Sequence, residues 1–422
     1  MKSRELAKKI IQNQQDEFVL ADTCWSAFTN IREDDWEYYL NYRKDQGFNT
    51  IYVNLLQQWD ASSSKLDIHP FEVIDGEFNF SKRNEAYFDR VERMISMAHE
   101  RGITIGLVLL WVNYLPNTWA SKIRKMPIFP KNRVAEYVEY AVNRYNKYHP
   151  FYIVSGDTDF PDDEVIDYYD IAMKKIKSLD KNAIVTLHIR GRESDLPDKL
   201  KNSPYLDFYM YQSGHNTQYR DYAYKLAEIF TSMDPQKPVM NAEPCYEMMG
   251  FSRNVYGRFT REDVRKAAWQ SVFSGATLGI TYGAHGIWSW HDATAVFDST
   301  IGEAFSTPYD WHDALRFEGA NDYAYLKEFV QLNHLSEGVS NQKILNNHSS
   351  EIRVLQKDER YYIYVPSNIE LNLNGDFSNR EFVYLDLVEK KQQYVSAKFY
   401  QESNITKVNM HRFISDAVLI IN

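Results

Sequence analysis

The chain has 422 residues, of which 44% are hydrophobic, 25% charged and 15% aromatic, with a formal net charge of −10. Phosphate recognition rests on Lys and Arg, so an acidic chain without a basic run excludes nucleic acid as a partner. No apolar stretch reaches the roughly 18 residues of a membrane span, which excludes a membrane anchor of that kind.

The opening residues, Met1 to Ile11, carry positive charge but no apolar core, so they read as a short amphipathic helix and not a secretory signal. From there to about residue 335, strand-like apolar runs alternate with helix-period segments. Phe18–Trp25 is the first strand, and Asp34–Gln46 the helix after it, ended by Gly47. Thr50–Leu56 is the second strand, followed by a long polar loop, Gln57–Lys82, that carries Trp59 and His69. Helix Ala86–Arg101 leads to strand Ile103–Trp111, helix Val134–Tyr148 to strand Phe151–Val154, and helix Asp163–Leu179 to strand Ala183–Ile189. Phe208–Tyr211, Pro238–Ala242 and Gly279–Tyr282 are the sixth, seventh and eighth strands, with helices at Tyr219–Thr231, Arg261–Ser274 and Tyr323–Leu335. Strands alternating with helices give a parallel sheet, and eight such units close into an α/β (β/α)8 TIM barrel. A doubly wound open sheet fits less well, because Asp22-Thr23-Cys24-Trp25 stands where a Gly-x-Gly-x-x-Gly turn would follow the first strand.

The pattern changes near Gly338. Short β-rich runs follow: Ile352–Leu355, Tyr361–Val365, Ile369–Leu373, Phe382–Leu387, Tyr394–Tyr400 and Ala417–Ile421. They predict a small antiparallel β-sandwich domain over 338–422, packed against a catalytic barrel over 1–337.

Two carboxylates stand out. Asp157, in Ser155-Gly156-Asp157-Thr158-Asp159, follows the fourth strand. Glu243, in Asn241-Ala242-Glu243-Pro244-Cys245-Tyr246-Glu247, follows the seventh. Catalytic residues of enzyme barrels sit at the C-terminal ends of strands, and strands four and seven face each other across the mouth. Two carboxylates about 5–5.5 Å apart are the working pair of a retaining glycoside hydrolase: one attacks the anomeric carbon, the other protonates the leaving oxygen and then activates water. Asp162 is free to cap the next helix, and Asp159 and Glu247 are the substitutes within each run.

The same residues carry a family resemblance. The opening Phe18-Val19-Leu20-Ala21-Asp22-Thr23-Cys24-Trp25, then Tyr39-Leu40-Asn41-Tyr42-Arg43 and Gly47-Phe48-Asn49-Thr50-Ile51, resembles the apiosidase-like glycoside hydrolases of family 140. So do the two carboxylate runs and the aromatic segment Ala284-His285-Gly286-Ile287-Trp288-Ser289-Trp290. The resemblance covers roughly residues 18–335, departs in having Ser155 where the family pattern has Gly, and implies Asp157 as acid/base and Glu243 as nucleophile. Apiose as the sugar is what the family name implies.

Further site candidates follow from strand ends. Asp22, Gln57, His188, Gln212, Tyr246 and His285 are candidates to hold sugar hydroxyls, and Trp25, Trp111, Trp288 and Trp290 to form stacking walls. Arg190 and Arg192 bring two cations near the mouth, and the loop from His291 to Arg316, with Trp311, is expected to fold over it. A closed pocket of this kind predicts exo action on a terminal sugar of a plant or microbial glycan fragment. Two other functions are alternatives to this: a non-catalytic carbohydrate-binding barrel, which the presence of both carboxylates argues against, and a metal-dependent hydrolase. No His-x-His closes the first strand and no metal-ligand spacing of His or Cys appears, so neither a metal nor another cofactor is expected. Cys24 and Cys245 are the only cysteines and read as buried thiols. They and the missing leader predict a cytoplasmic protein, or a secreted one if a leader has been removed.

Overall fold

The computed structural model describes residues 2–11, 16–123, 126–297 and 305–422. The eight strands are β1 (Val19–Thr23), β2 (Thr50–Asn54), β3 (Thr104–Trp111), β4 (Phe151–Gly156), β5 (Val185–Thr186), β6 (Tyr209–Tyr211), β7 (Val239–Asn241) and β8 (Gly279–Tyr282). Every residue in them is buried. That is why they read as continuous apolar runs: parallel strands are covered on both faces.

All neighbouring pairs are parallel, in the order β5-β4-β3-β2-β1-β8-β7-β6. The open edges meet. Asp207 N–H donates to Val185 O at 2.9 Å, and Thr186 Oγ1 to Phe208 O at 2.9 Å, so the sheet closes into a barrel. The predicted fifth strand, Ala183–Ile189, shrinks to two residues. Beyond them Ser155 Oγ replaces ladder partners, accepting from His188 N at 3.0 Å and donating to His188 O at 2.8 Å.

Amphipathic helices ring the barrel, and two of them start at a side-chain cap. Asp162 accepts from Val165 N at 3.0 Å to start Asp163–Leu179, and Thr260 with Asp263 forms a capping box at Arg261–Phe273. The loop predicted over Gln57–Lys82 contains a β-hairpin, Phe71–Ile74 with Glu77–Arg83. Its turn is Asp75-Gly76 with both φ values positive, 51° and 82°, the two-residue turn that matches strand twist. The last barrel helix, Gly319–Leu332, starts earlier than the predicted Tyr323.

The C-terminal strands are β9 (Val339–Ser340), β10 (Arg353–Lys357), β11 (Arg360–Val365), β12 (Leu371–Asn374), β13 (Phe382–Asp386), β14 (Gln392–Tyr394), β15 (Ala397–Tyr400), β16 (Ile405–Val408) and β17 (Ala417–Ile421). They form two antiparallel sheets, β9-β10-β11-β17-β13-β14 and β12-β16-β15. Side chains alternate between two cores. Val354, Ile363 and Leu419 meet Leu371, Leu373 and Val408 of the smaller sheet. Leu355, Tyr362, Tyr364 and Val418, on the other face, join the barrel's own core. A buried charge cluster lies at this junction. Arg265 of the barrel helix donates to Asp416 at 2.7 Å and to Asp322 at 3.0 Å, and Tyr364 Oη donates to Asp416 at 3.0 Å.

Candidate active site

A cavity of about 170 Å³ opens at the C-terminal ends of the strands, and both Asp157 and Glu243 line it. Glu243 follows β7 and is 7% exposed. His215 Nε2 lies 2.7 Å and Gln212 Nε2 2.9 Å from its Oε1, and His188 Nε2 lies 3.3 Å from its Oε2 in a less well aligned contact. Burial alone would raise the pKa of this carboxyl. The hydrogen bonds from His188 and His215 outweigh that and hold it well below the usual carboxylate range, so Glu243 is ionised.

The tautomers are fixed by the backbone. Asp157 N–H donates to His188 Nδ1 at 3.0 Å, and Tyr246 N–H donates to His215 Nδ1 at 3.3 Å. A ring nitrogen that accepts an N–H carries no proton, so in each neutral imidazole the proton sits on Nε2 and faces Glu243.

Asp157 follows β4 with φ of 50°, in the left-handed region that non-glycine residues rarely occupy. Both of its backbone groups are held by side chains: the N–H by His188, and the carbonyl by Trp119 Nε1 at 2.8 Å. Asp159 sets Trp119 in turn by accepting from its N–H at 3.1 Å.

Aromatic residues wall the cavity. Trp25, Trp111, Trp119, Tyr246 and Trp288 all line it. Trp25 Nε1 donates to Tyr246 Oη at 3.0 Å. Burial, and then the charge of Glu243, push the Tyr246 phenol well above its usual value, so it stays neutral. Two glycines make room for these rings. A Cβ on Gly156 would sit 1.9 Å from Trp111 Cε3, and one on Gly283 would sit 2.1 Å from Tyr246 Cδ1.

Some predicted residues lie elsewhere. Asp22 is fully buried beneath the mouth, where Arg43 Nε at 2.6 Å and Tyr39 Oη at 2.7 Å both donate to its Oδ2; it neutralises a buried arginine and does not line the cavity. Gln57 gives only its backbone carbonyl, to Tyr114 Oη at 2.7 Å, and the next residue, Gln58, forms the wall instead. His285 is fully buried behind the wall, and burial lowers its pKa to about 3. It donates from Nε2 to Ser306 O at 2.6 Å and accepts at Nδ1 from Trp288 Nε1 at 3.0 Å, so it orients Trp288. Trp290 takes φ of 47° and stacks on Trp311 at 4.4 Å, outside the cavity. Glu247 accepts from Tyr282 Oη at 2.5 Å and Gly319 N at 2.9 Å, also outside it. Of the loop from His291 to Arg316, residues 298–304 fall outside the described residues; Phe305 lines the cavity and Trp311 does not.

Residues 5–337 match the family described as "Apiosidase-like, catalytic domain". The chain belongs to the apiosidase-like family. Similar solved structures are glycoside hydrolases. One described simply as "Glycoside hydrolase" shares 24% identity over 96% of this chain and 92% of its own, with a TM-score of 0.77. A glycoside hydrolase family 5 protein from Bacteroides vulgatus shares 25% identity over 96% and 89%, also with a TM-score of 0.77. An endo-beta-1,4-mannanase from Thermotoga petrophila, at 13% identity over 97% and 98% with a TM-score of 0.50, shares the fold alone. Among curated proteins, none matches the chain. This apiosidase-like protein is therefore a glycoside hydrolase.

Its site also uses residues that the strand-end rule did not select. His215 lies three positions beyond Gln212 and is brought back by a left-handed turn at Gly214, φ 73°, whose N–H donates to Glu243 O at 3.0 Å. Trp119 opens the short helix Trp119–Ile123, and Met249 and Phe305 come from loops. Arg190 and Arg192 line the rim, with Arg190 beside Glu193 and 3.8 Å from Asp159. Cys24 and Cys245 of this apiosidase-like chain are both buried free thiols. Among the described residues, no group of three or more His, Cys, Asp or Glu is placed to hold a metal, and no helix is long and apolar enough to cross a membrane.

Proposed function

We propose that this protein is a retaining, exo-acting glycosidase that releases a terminal sugar from a plant or microbial glycan fragment, with apiose the sugar its family name points to. Residues 1–337 supply the catalytic barrel and 338–422 the accessory β-sandwich. Glu243 attacks the anomeric carbon while the glycosidic C–O bond breaks, and Asp157 gives its proton to the departing oxygen. Water then attacks the glycosyl-enzyme, Asp157 takes the water's proton, and the Glu243 carboxylate leaves. The expected separation of the two carboxyl groups is about 5–5.5 Å.

One observation carries this reading: Glu243 is buried yet held ionised by donors that converge on it, in an aromatic cavity that it shares with Asp157. An ionised carboxylate stripped of water is an activated nucleophile. The indoles of Trp25, Trp111, Trp119 and Trp288 offer faces on which the C–H side of one sugar ring can stack. Trapping tests the chemistry. An activated 2-deoxy-2-fluoro glycoside of the released sugar should leave its glycosyl group on Glu243 in the peptide mass spectrum. A first-formed product of inverted anomeric configuration would contradict the mechanism. Time-resolved product analysis on a defined oligosaccharide tests exo action, which a ladder of internal fragments would exclude.

A further inference from the structure

We propose that His188 is a positioning residue that ties the two reacting carboxylates together, holding the backbone of Asp157 through Nδ1 and the carboxylate of Glu243 through Nε2–H; this rests on the roles assigned to Asp157 and Glu243 above. The two ring nitrogens of His188 have different tasks. Nδ1 accepts Asp157 N–H at 3.0 Å, and Nε2 stands 3.3 Å from Glu243 Oε2. The second contact is the longer one, and catalytic hydrogen bonds are commonly long before substrate binds and tighten afterwards.

The imidazole is held on every side. His188 is fully buried. Ser155 Oγ takes its backbone N–H at 3.0 Å and gives its own proton to the His188 carbonyl at 2.8 Å. Trp111 lies nearly parallel to the ring at 6.0 Å, and Trp25 meets it edge-on at 5.3 Å. The Ser155 hydroxyl thus fixes both backbone groups of His188.

The Asp157 contact matters because of its backbone. An aspartate at φ of 50° stays there only while its surroundings hold it. Without an acceptor at the Nδ1 position, the peptide keeps Trp119 on its carbonyl but loses the hold on its N–H, and can shift the carboxyl away from the leaving oxygen. The Glu243 contact matters for the attack on carbon. One ring thus serves proton delivery with one nitrogen and nucleophile placement with the other.

Two substitutions separate these tasks. His188→Asn keeps an oxygen near the Nδ1 position and cannot reach Glu243. His188→Gln reaches toward Glu243 with an amide donor and leaves no acceptor near the Nδ1 position. Their kcat/KM values are measured on a poor and on an activated aryl leaving group, beside Asp157→Asn and Glu243→Gln. His188→Gln should lose about 10²-fold on the poor leaving group and much less on the activated one, as an enzyme with a misplaced general acid does. His188→Asn should lose equally on both. Equal losses for the two His188 variants on both substrates, or no loss in either, overturn the proposal. If Asp157→Asn itself shows no difference between leaving groups, the catalytic assignment beneath it fails instead. A neutron structure of the unaltered protein needs no variant to fold: deuterium on Nε2 of His188 is expected, and deuterium on Nδ1 overturns the proposal.

Discussion

His215→Phe keeps a ring against Tyr246 and Phe305, whose centroids lie 4.5 and 5.5 Å from that of His215, and removes the donor to Glu243 together with the longer Nδ1 contact to Tyr246 N–H at 3.3 Å. That donor sits 2.7 Å from Oε1, closer than Gln212 at 2.9 Å. A hydrogen bond to a charged group contributes about 1.5–3 kcal/mol. One pKa unit corresponds to about 1.4 kcal/mol, so the loss should raise the Glu243 pKa by roughly one to two units. The sign follows from the balance at the carboxyl, where burial pushes up and the hydrogen bonds from His188 and His215 push down. Removing a donor lets burial gain. The assay is kcat/KM against pH for an activated aryl glycoside, whose leaving group needs no proton, so that the acid limb reports Glu243. The limb should move up in His215→Phe, and by less in Gln212→Leu. A limb that stays in place while the plateau falls, or one that moves down, refutes the reasoning. Stability obeys the same sign. A carboxyl held low in the folded state adds stability that is complete above the ordinary carboxylate range and is lost as pH falls through the folded value. The gap in melting temperature between wild type and His215→Phe should therefore be widest above that range and close on acidification.

Gly156→Ala should displace Trp111, because the new methyl would lie 1.9 Å from its ring; overpacking of this kind costs about 1–3 kcal/mol, read as a lower melting temperature with a raised KM. Asp416→Ala removes the principal carboxylate from the buried Arg265 guanidinium and should cost about 3–5 kcal/mol in urea unfolding, with the remaining Asp322 contact pulling toward the lower end. An unchanged unfolding midpoint would show that Arg265 finds another partner. Asp22→Asn should destabilise the fold, since Asp22 neutralises the fully buried Arg43, and leave KM unchanged.

The barrel was legible because its strands are buried on both faces and so stand out as unbroken apolar runs such as Thr104–Trp111. Strand ends also led to Glu243, Gln212, Trp25 and Trp111, all of which line the cavity. The rule fails where it ignores direction. Asp22 ends a strand too, but its side chain points at the Arg43 side of the barrel wall and not into the mouth. His285 and Trp290 share a segment with Trp288, yet that loop turns between them, and only Trp288 faces the cavity. His215 escaped because its place depends on the turn at Gly214 and not on any strand. The hairpin at Phe71–Arg83 carried a readable signal, Asp75-Gly76 between alternating apolar residues, hidden inside a stretch read as polar loop. Tyr394–Tyr400, read as one strand, is split between two sheets, which only long-range pairing decides.

The family match ends at residue 337, but the packing does not. Leu355, Tyr362, Tyr364 and Val418 fill the outer surface of the barrel helices, and Asp416 answers the charge of Arg265 from across the junction. Trimming the chain at that boundary would bare a greasy flank with an orphaned guanidinium at its centre. The C-terminal strands thus form a fixed cover over one side of the barrel. Grafting this barrel onto another partner would first require repainting that flank.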